Sequence, residues 1–185
     1  DDKGYKNAEI NIVQRDDNNS KNQVTLDVNI DKKKKMKVHK IYIDGNKELS
    51  DKKLKGGLFK KGAFSKIHES GTLASFLKSK KYTLERWEED KKNLIAKYNE
   101  YGYRDATIVK DSVWNVDDSH VAIYVKVDEG KKYYIRNITW VGNTVYTTDQ
   151  LSRLLNMHKG DVYNQKYMNK RLSEDEDAVG NAYWN

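Results

Sequence analysis

The chain has 185 residues, with 35 lysines and arginines against 28 aspartates and glutamates, for a net charge of +7. It has no cysteine, which excludes disulfides, thiolate metal sites and a cysteine nucleophile. No apolar run nears the ~20 residues a membrane-spanning helix needs, and no signal-peptide pattern is visible, so an exported protein is expected here in mature or fragment form. The densest basic run, Lys32–Lys35 with Lys37 beyond it, offers an anion patch for nucleic acid or lipid head groups. Acidic residues interspersed almost everywhere else favour a solvated hinge between domains instead. Proline is absent, so none marks a boundary.

In chain order, Val24, Leu26, Val28 and Ile30 alternate with polar residues, the pattern of a half-buried strand. Val38–Ile43 is a second strand, closed by the turn signal Asp44-Gly45-Asn46. Ser50 reads as the N-cap of a short helix over Asp51–Leu58, with Gly56-Gly57 able to stop it early. Phe59–Tyr82 receives no assignment, although Phe64, Ile67, Leu73, Phe76 and Leu77 imply some helical turns. Thr83 caps the next helix, in which Trp87, Leu94, Ile95, Tyr98 and Tyr101 form one apolar stripe. Gly102 ends it as a left-handed cap. A strand follows from Tyr103 through Trp114, then a turn at Asn115–Ser119. Val121, Ile123, Val125 and Val127 are the inward side of the last strand. The order is β-α-α-β-β, with two helices on one face of a three-stranded sheet and water on the other.

The chain writes this sentence more than once. Gly45-Asn46 returns at Gly142-Asn143, with Ile41 and Leu54 falling on Ile138 and Leu151 at the same offset of 97 (45 to 142). The alternating strands Val24–Ile30 and Val121–Val127 share that offset. "GYKNAEI" from Gly4 and Tyr5 matches "GYRDATI" from Gly102 and Tyr103 through Ala106, at 98 (4 to 102). So long a period marks tandem small domains rather than a solenoid. The expected division is the end of one copy at 1–35, a whole copy at 36–131 and the start of a third at 132–185. In that third copy Leu172, Asp175, Val179 and Tyr183 are expected to fall on Trp87, Asp90, Leu94 and Tyr98, at 85 (87 to 172).

"LIAKYNEYGYRDATI" and the junction "VDEGKKYYIRNITWVGN" together resemble the POTRA (polypeptide-transport-associated) family over nearly the whole chain. The resemblance implies an α+β fold of tandem domains, each a three-stranded mixed sheet with two helices on one face. It implies a periplasmic binding module carried by an outer-membrane β-barrel. Its partners would be unfolded outer membrane proteins and accessory assembly lipoproteins, with no nucleic acid. Related transporters of the two-partner secretion, autotransporter assembly or chloroplast import type share the domain. A basic nucleic-acid-binding repeat protein is the rival from another class.

No catalytic constellation stands out. His39, His68, His120 and His158 lack metal-ligand spacing, no Gly-x-Ser-x-Gly occurs, and no enzyme activity, cofactor or metal is expected. Gly45, Asn46, Gly102, Tyr103, Ala106, Gly142 and Asn143, with Gly4 and Tyr5, read as makers of the fold. Function is expected from backbone instead: an open sheet edge pairs with an incoming extended peptide without demanding its sequence. The resemblance places that edge on the second strand of each unit. This is Arg104–Trp114 in the whole copy, with Arg104, Asp105, Thr107, Val109 and Asp111 as candidate contacts, and Lys6–Arg15 in the first.

Overall fold

A computed structural model describes residues 8–16, 23–32, 34–56, 62–71 and 81–183. Gly4, Tyr5 and Lys6 lie outside the described residues, as do 59–61 and 72–80 of the unassigned stretch. Two compact units are present. One takes Asp1–Tyr42, Lys66–Glu89 and Ser112–Ile123; the other takes Ile43–Ser65, Asp90–Asp111 and Tyr124–Asn185.

The first unit contains an antiparallel hairpin of β1 (Glu9–Asp16) and β2 (Val24–Asp31), with Ile10 opposite Ile30 and Ile12 opposite Val28. Strand alternation puts these four and Leu26 on one face. The strand pattern is as expected, but the face is not half-buried: each of the five is more than half exposed. No described helix covers it. The other face is polar apart from Val13 and carries an Arg15–Asp27 ion pair.

The second sheet is built from β3 (Lys37–Asp44), β4 (Thr107–Asp117) and β5 (His120–Asp128), in the order β3-β5-β4. Asp118 and Ser119 alone join β4 to β5, which makes that pair antiparallel. β3 starts and ends beside β5: Lys37 N–H donates to the Ser119 carbonyl at 2.8 Å, and Gly45 abuts the Val127 carbonyl. These two strands therefore run parallel and the sheet is mixed. Its inward face carries Val121, Ile123, Val125 and Val127, each at most 3% exposed.

Two described helices follow β3, as the pattern requires. α1 (Asp51–Lys55) is shorter than the expected Asp51–Leu58, because Gly56 leaves helical space at φ 72°. α2 (Leu84–Glu100) carries the stripe, with Trp87, Leu94 and Tyr98 essentially inaccessible. Burial of such side chains stabilises by roughly 1.5–3 kcal/mol each. Thr83 caps α2 as expected, its hydroxyl accepting from Arg86 N–H at 3.2 Å. At the other end Tyr103 N–H donates to the Tyr98 carbonyl and Gly102 N–H to Asn99, with Gly102 at φ 91°. That is the double bond of a Schellman cap.

Beyond residue 133, α3 (Thr148–Leu155) and α4 (Gln165–Asn169) enclose a small core of Leu151, Leu155, Met157 and Val179, joined by Ile135, Ile138 and Trp140. α4 runs into one π turn at Lys170–Glu174, and the backbone leaves the helix at Asp175. The expected alignment of Leu172, Asp175, Val179 and Tyr183 on α2 is therefore corrected. Asn164 caps Tyr167 N–H as Thr83 caps Arg86, an offset of 81 (83 to 164). Likewise Tyr163 N–H meets the Tyr133 carbonyl as Tyr82 N–H meets Met36. The two offsets differ by about one helical turn, and a slip of one turn leaves an apolar stripe on the same face. Periodicity alone could not separate them.

Candidate strand-docking edge

Among the described residues, the sheet order leaves β4 with a single neighbour, so one row of its backbone N–H and C=O groups faces outward. The strand starts at Thr107 and runs to Asp117, later at both ends than the expected Arg104–Trp114. Thr107 and Val109 are exposed, Val109 at 61%. Asp111 is half-buried and pairs with Lys91 of α2 at 3.3 Å, which turns it toward the helix side. Further along, Trp114 is partly exposed and stacks on Tyr42, with centroids 6.1 Å apart and planes 14° from parallel. The turn from Tyr103 to Ala106, closed by Ala106 N–H to the Tyr103 carbonyl, explains the late start.

Arg104 and Asp105 lie in that turn and serve a different purpose from Thr107 and Val109. Tyr133 O–H donates to Asp105 Oδ2 at 2.6 Å, Arg104 Nε donates to Asp105 Oδ1 at 3.1 Å, and the Arg104 guanidinium stands 4.6 Å from the Tyr133 ring centroid. Tyr133 and Arg104 hold the Asp105 carboxyl below its ordinary range, while Asp105 raises the Tyr133 phenol. Tyr133 N–H also donates to the Gly102 carbonyl at 2.9 Å. A Cβ on Gly102 would lie 2.6 Å from Val162 Cγ1 and 3.0 Å from the Tyr133 carbonyl oxygen. Nearby, Lys166 and Lys97 both reach Glu100, at 2.8 and 2.9 Å. Burial opposes ionisation of Glu100, but the two lysines outweigh it and lower its pKa. The Gly-Tyr motif thus caps a helix and also seats the segment that follows.

Two buried carboxylates were invisible as site residues in the sequence. Glu129, 6% exposed, accepts from the backbone N–H groups of Lys47, Glu48 and Leu49 at 2.9–3.2 Å. It thereby closes the turn after Gly45-Asn46, while the Ser50 hydroxyl makes no capping bond. Burial and then Glu129 push the Tyr98 phenol well above its ordinary range. Asp90, fully buried, accepts from Ser65 N–H at 3.0 Å and from Asn93. A buried carboxylate needs such donors. The available signal was Glu129 beside Gly130 at the end of an alternating strand. Tyr103 is buried, its ring against Tyr98 and its hydroxyl on Glu48 at 3.2 Å. His120 opens β5 and bonds Asp117, and no described group of three or more His, Asp or Glu is placed to hold a metal ion.

A family model for POTRA, described as a surface antigen variable number repeat, matches residues 36–130 and 133–185. The outer membrane protein assembly factor BamA of Neisseria meningitidis serogroup B is 26% identical over 165 residues, covering 88% of this chain and 20% of that protein. The BamA of Nitratidesulfovibrio vulgaris is 26% identical over 163 residues, covering 86% and 19%. The chain therefore spans about a fifth of the length of these relatives. A crystal structure of Haemophilus influenzae BamA POTRA3-5 is similar at 20% identity and a TM-score of 0.47, covering 89% of this chain and 59% of that one.

Proposed function

The chain belongs to the POTRA family, and from that premise we propose that it is the periplasmic POTRA region of a BamA-type outer-membrane protein assembly factor. It lies on the periplasmic side of the outer membrane. One whole domain at 36–131 stands between partial ones at 1–35 and 132–185. The region is a binding module that takes extended segments of unfolded outer membrane proteins, and accessory lipoproteins, by strand addition on β4, and passes the former to a barrel.

The observation that supports this reading is the position of β4 at the sheet edge, with Thr107 and Val109 exposed along it. Main-chain pairing there gives affinity without sequence, which a receptor for many clients needs. The lysine and aspartate on the strand limit self-association while leaving the backbone available. The test is backbone NMR of the 185-residue chain, titrated with a peptide from an outer-membrane β-strand. The expected result is a run of shifts along Thr107–Asp117 that persists when the peptide's side chains are changed. A folded chain with no shift on β4 at millimolar peptide overturns it.

A further inference from the structure

β3 is the other edge of the same sheet, yet its outer backbone is occupied. Val38 forms a parallel bridge with Glu69, and its carbonyl accepts from Ser70 N–H at 2.7 Å. The Glu69 carboxylate accepts the Ile41 N–H at 2.8 Å, taking a backbone donor with a side chain. Tyr82 N–H bonds the Met36 carbonyl at 2.9 Å. Glu69, Ser70 and Tyr82, from the stretch that received no assignment in the sequence, thus return to cover β3 and the residue before it.

The same thing happens 97 residues on, by different means. Ile135, the counterpart of Val38, donates its N–H to the Asp161 carbonyl and accepts from Gly160 N–H, both at 2.8 Å. Tyr133, the counterpart of Met36, accepts from Tyr163 N–H at 3.0 Å. Here the bridge, Tyr134 with Val162, is antiparallel. The two covering loops differ in length by 16 residues (97 against 81) and pair with opposite polarity. What they share is the position they cover, the opening segment of the repeat. Strand edges left open are templates for indiscriminate pairing, and this arrangement removes one of the two from the β3-β5-β4 sheet.

We propose that Glu69 and Ser70 are an edge guard, which makes this sheet one-sided so that strands add at β4 and not at β3. The proposal rests on the strand-addition reading for its purpose, but the guard itself is measured separately. The chain has no native cysteine, so single-cysteine variants report position cleanly. Lys40→Cys on β3 and Val109→Cys on β4 are each incubated with a cysteine-bearing outer-membrane strand peptide, in the wild-type and Glu69→Ala backgrounds. Amide exchange at Ile41 is followed without peptide.

The expected result is trapping at Val109→Cys and little at Lys40→Cys until Glu69 is removed. Glu69→Ala then raises Lys40→Cys trapping and Ile41 exchange about tenfold each, the size of one lost hydrogen bond. Glu69→Gln, which keeps an acceptor oxygen, retains most of the protection. Unchanged exchange at Leu54 and Ile123 identifies a folded Glu69→Ala variant. Should that variant unfold, Ser70→Pro tests the same edge by deleting the N–H that bonds Val38. Equal trapping at the two cysteines with Glu69 present, or Ile41 exchange indifferent to Glu69, overturns the guard. Failure of Val109→Cys to trap in any background overturns strand addition on β4, while Ile41 exchange still decides the guard.

Discussion

Gly45-Asn46 and Gly142-Asn143 make the same turn in unlike surroundings. Both glycines hold positive φ, 84° and 78°. Lys47 N–H returns to the Gly45 carbonyl as Thr144 N–H returns to Gly142, each at 3.0 Å. Asn46 reaches the Leu49 carbonyl and Asp51, and Asn143 reaches the Tyr146 carbonyl and Thr148. The helices that follow bury matching leucines, Leu54 and Leu151. Around the first turn, however, β5 passes close enough that a Cβ on Gly45 would meet the Val127 carbonyl oxygen at 2.1 Å. Around the second, nothing described lies within 4 Å of the same point. The local code is sufficient to form the turn. The fifth strand and Glu129 lock it into a sheet.

The amides of Leu54 and Leu151 bond the Ser50 and Thr147 carbonyls at equal 3.1 Å, so their exchange rates compare the two turns directly. Gly45→Ala should show the largest effect. It adds a clash with fixed backbone to the strain of a left-handed alanine, together about 3 kcal/mol or more at Leu54. Gly142→Ala carries the strain alone, about 1 kcal/mol at Leu151. Equal costs would show that the second turn is as enclosed as the first.

Glu129→Ala comes next. It leaves the Glu48 and Leu49 amides without their acceptor and takes one of two from Lys47, at about 3 kcal/mol read as lost protection at Leu54. Leu151 should not respond, since no described carboxylate bonds the Val145 or Tyr146 amides. Glu129→Gln, keeping one carbonyl oxygen, should lose about half as much. A response at both leucines would mean the two turns share a support that the hydrogen bonds do not reveal.

Much of this was legible because it is local. Alternation marked β2 and β5, a β-branched run with its turn signal marked β3, Thr83 and Gly102 marked the ends of α2, and the repeated Gly-Asn marked the copies. What escaped depends on distant partners. Glu129 is one of 28 acidic residues, and nothing near it in the chain says that three amides some 80 positions earlier will surround it. Arg104 and Asp105 look like the start of a strand until Tyr133 returns to meet them. Glu69 resembles loop chemistry, since its bond to Ile41 spans 28 positions. The second helix of the third copy was misplaced by one turn because the apolar stripe is nearly unchanged by that shift.

The smallest effect runs the comparison in the opposite direction. Thr147 caps α3 with a full capping box: its hydroxyl accepts from Gln150 N–H at 3.3 Å, and Gln150 Oε1 accepts from Thr147 N–H at 2.9 Å. Ser50 occupies the same position before α1, but its hydroxyl makes no capping bond. Its third helical position is Lys53, which cannot return an acceptor to the cap. Thr147→Ala should therefore cost about 1 kcal/mol at Leu151, while Ser50→Ala should stay within about 0.5 kcal/mol at Leu54. Thermal denaturation of the two variants gives a second reading of the same order. A Ser50→Ala cost as large as that of Thr147→Ala would assign the first turn's stability to its cap and remove it from Glu129. The expected order says that a turn enclosed by its own sheet can dispense with the cap on which the more open one depends.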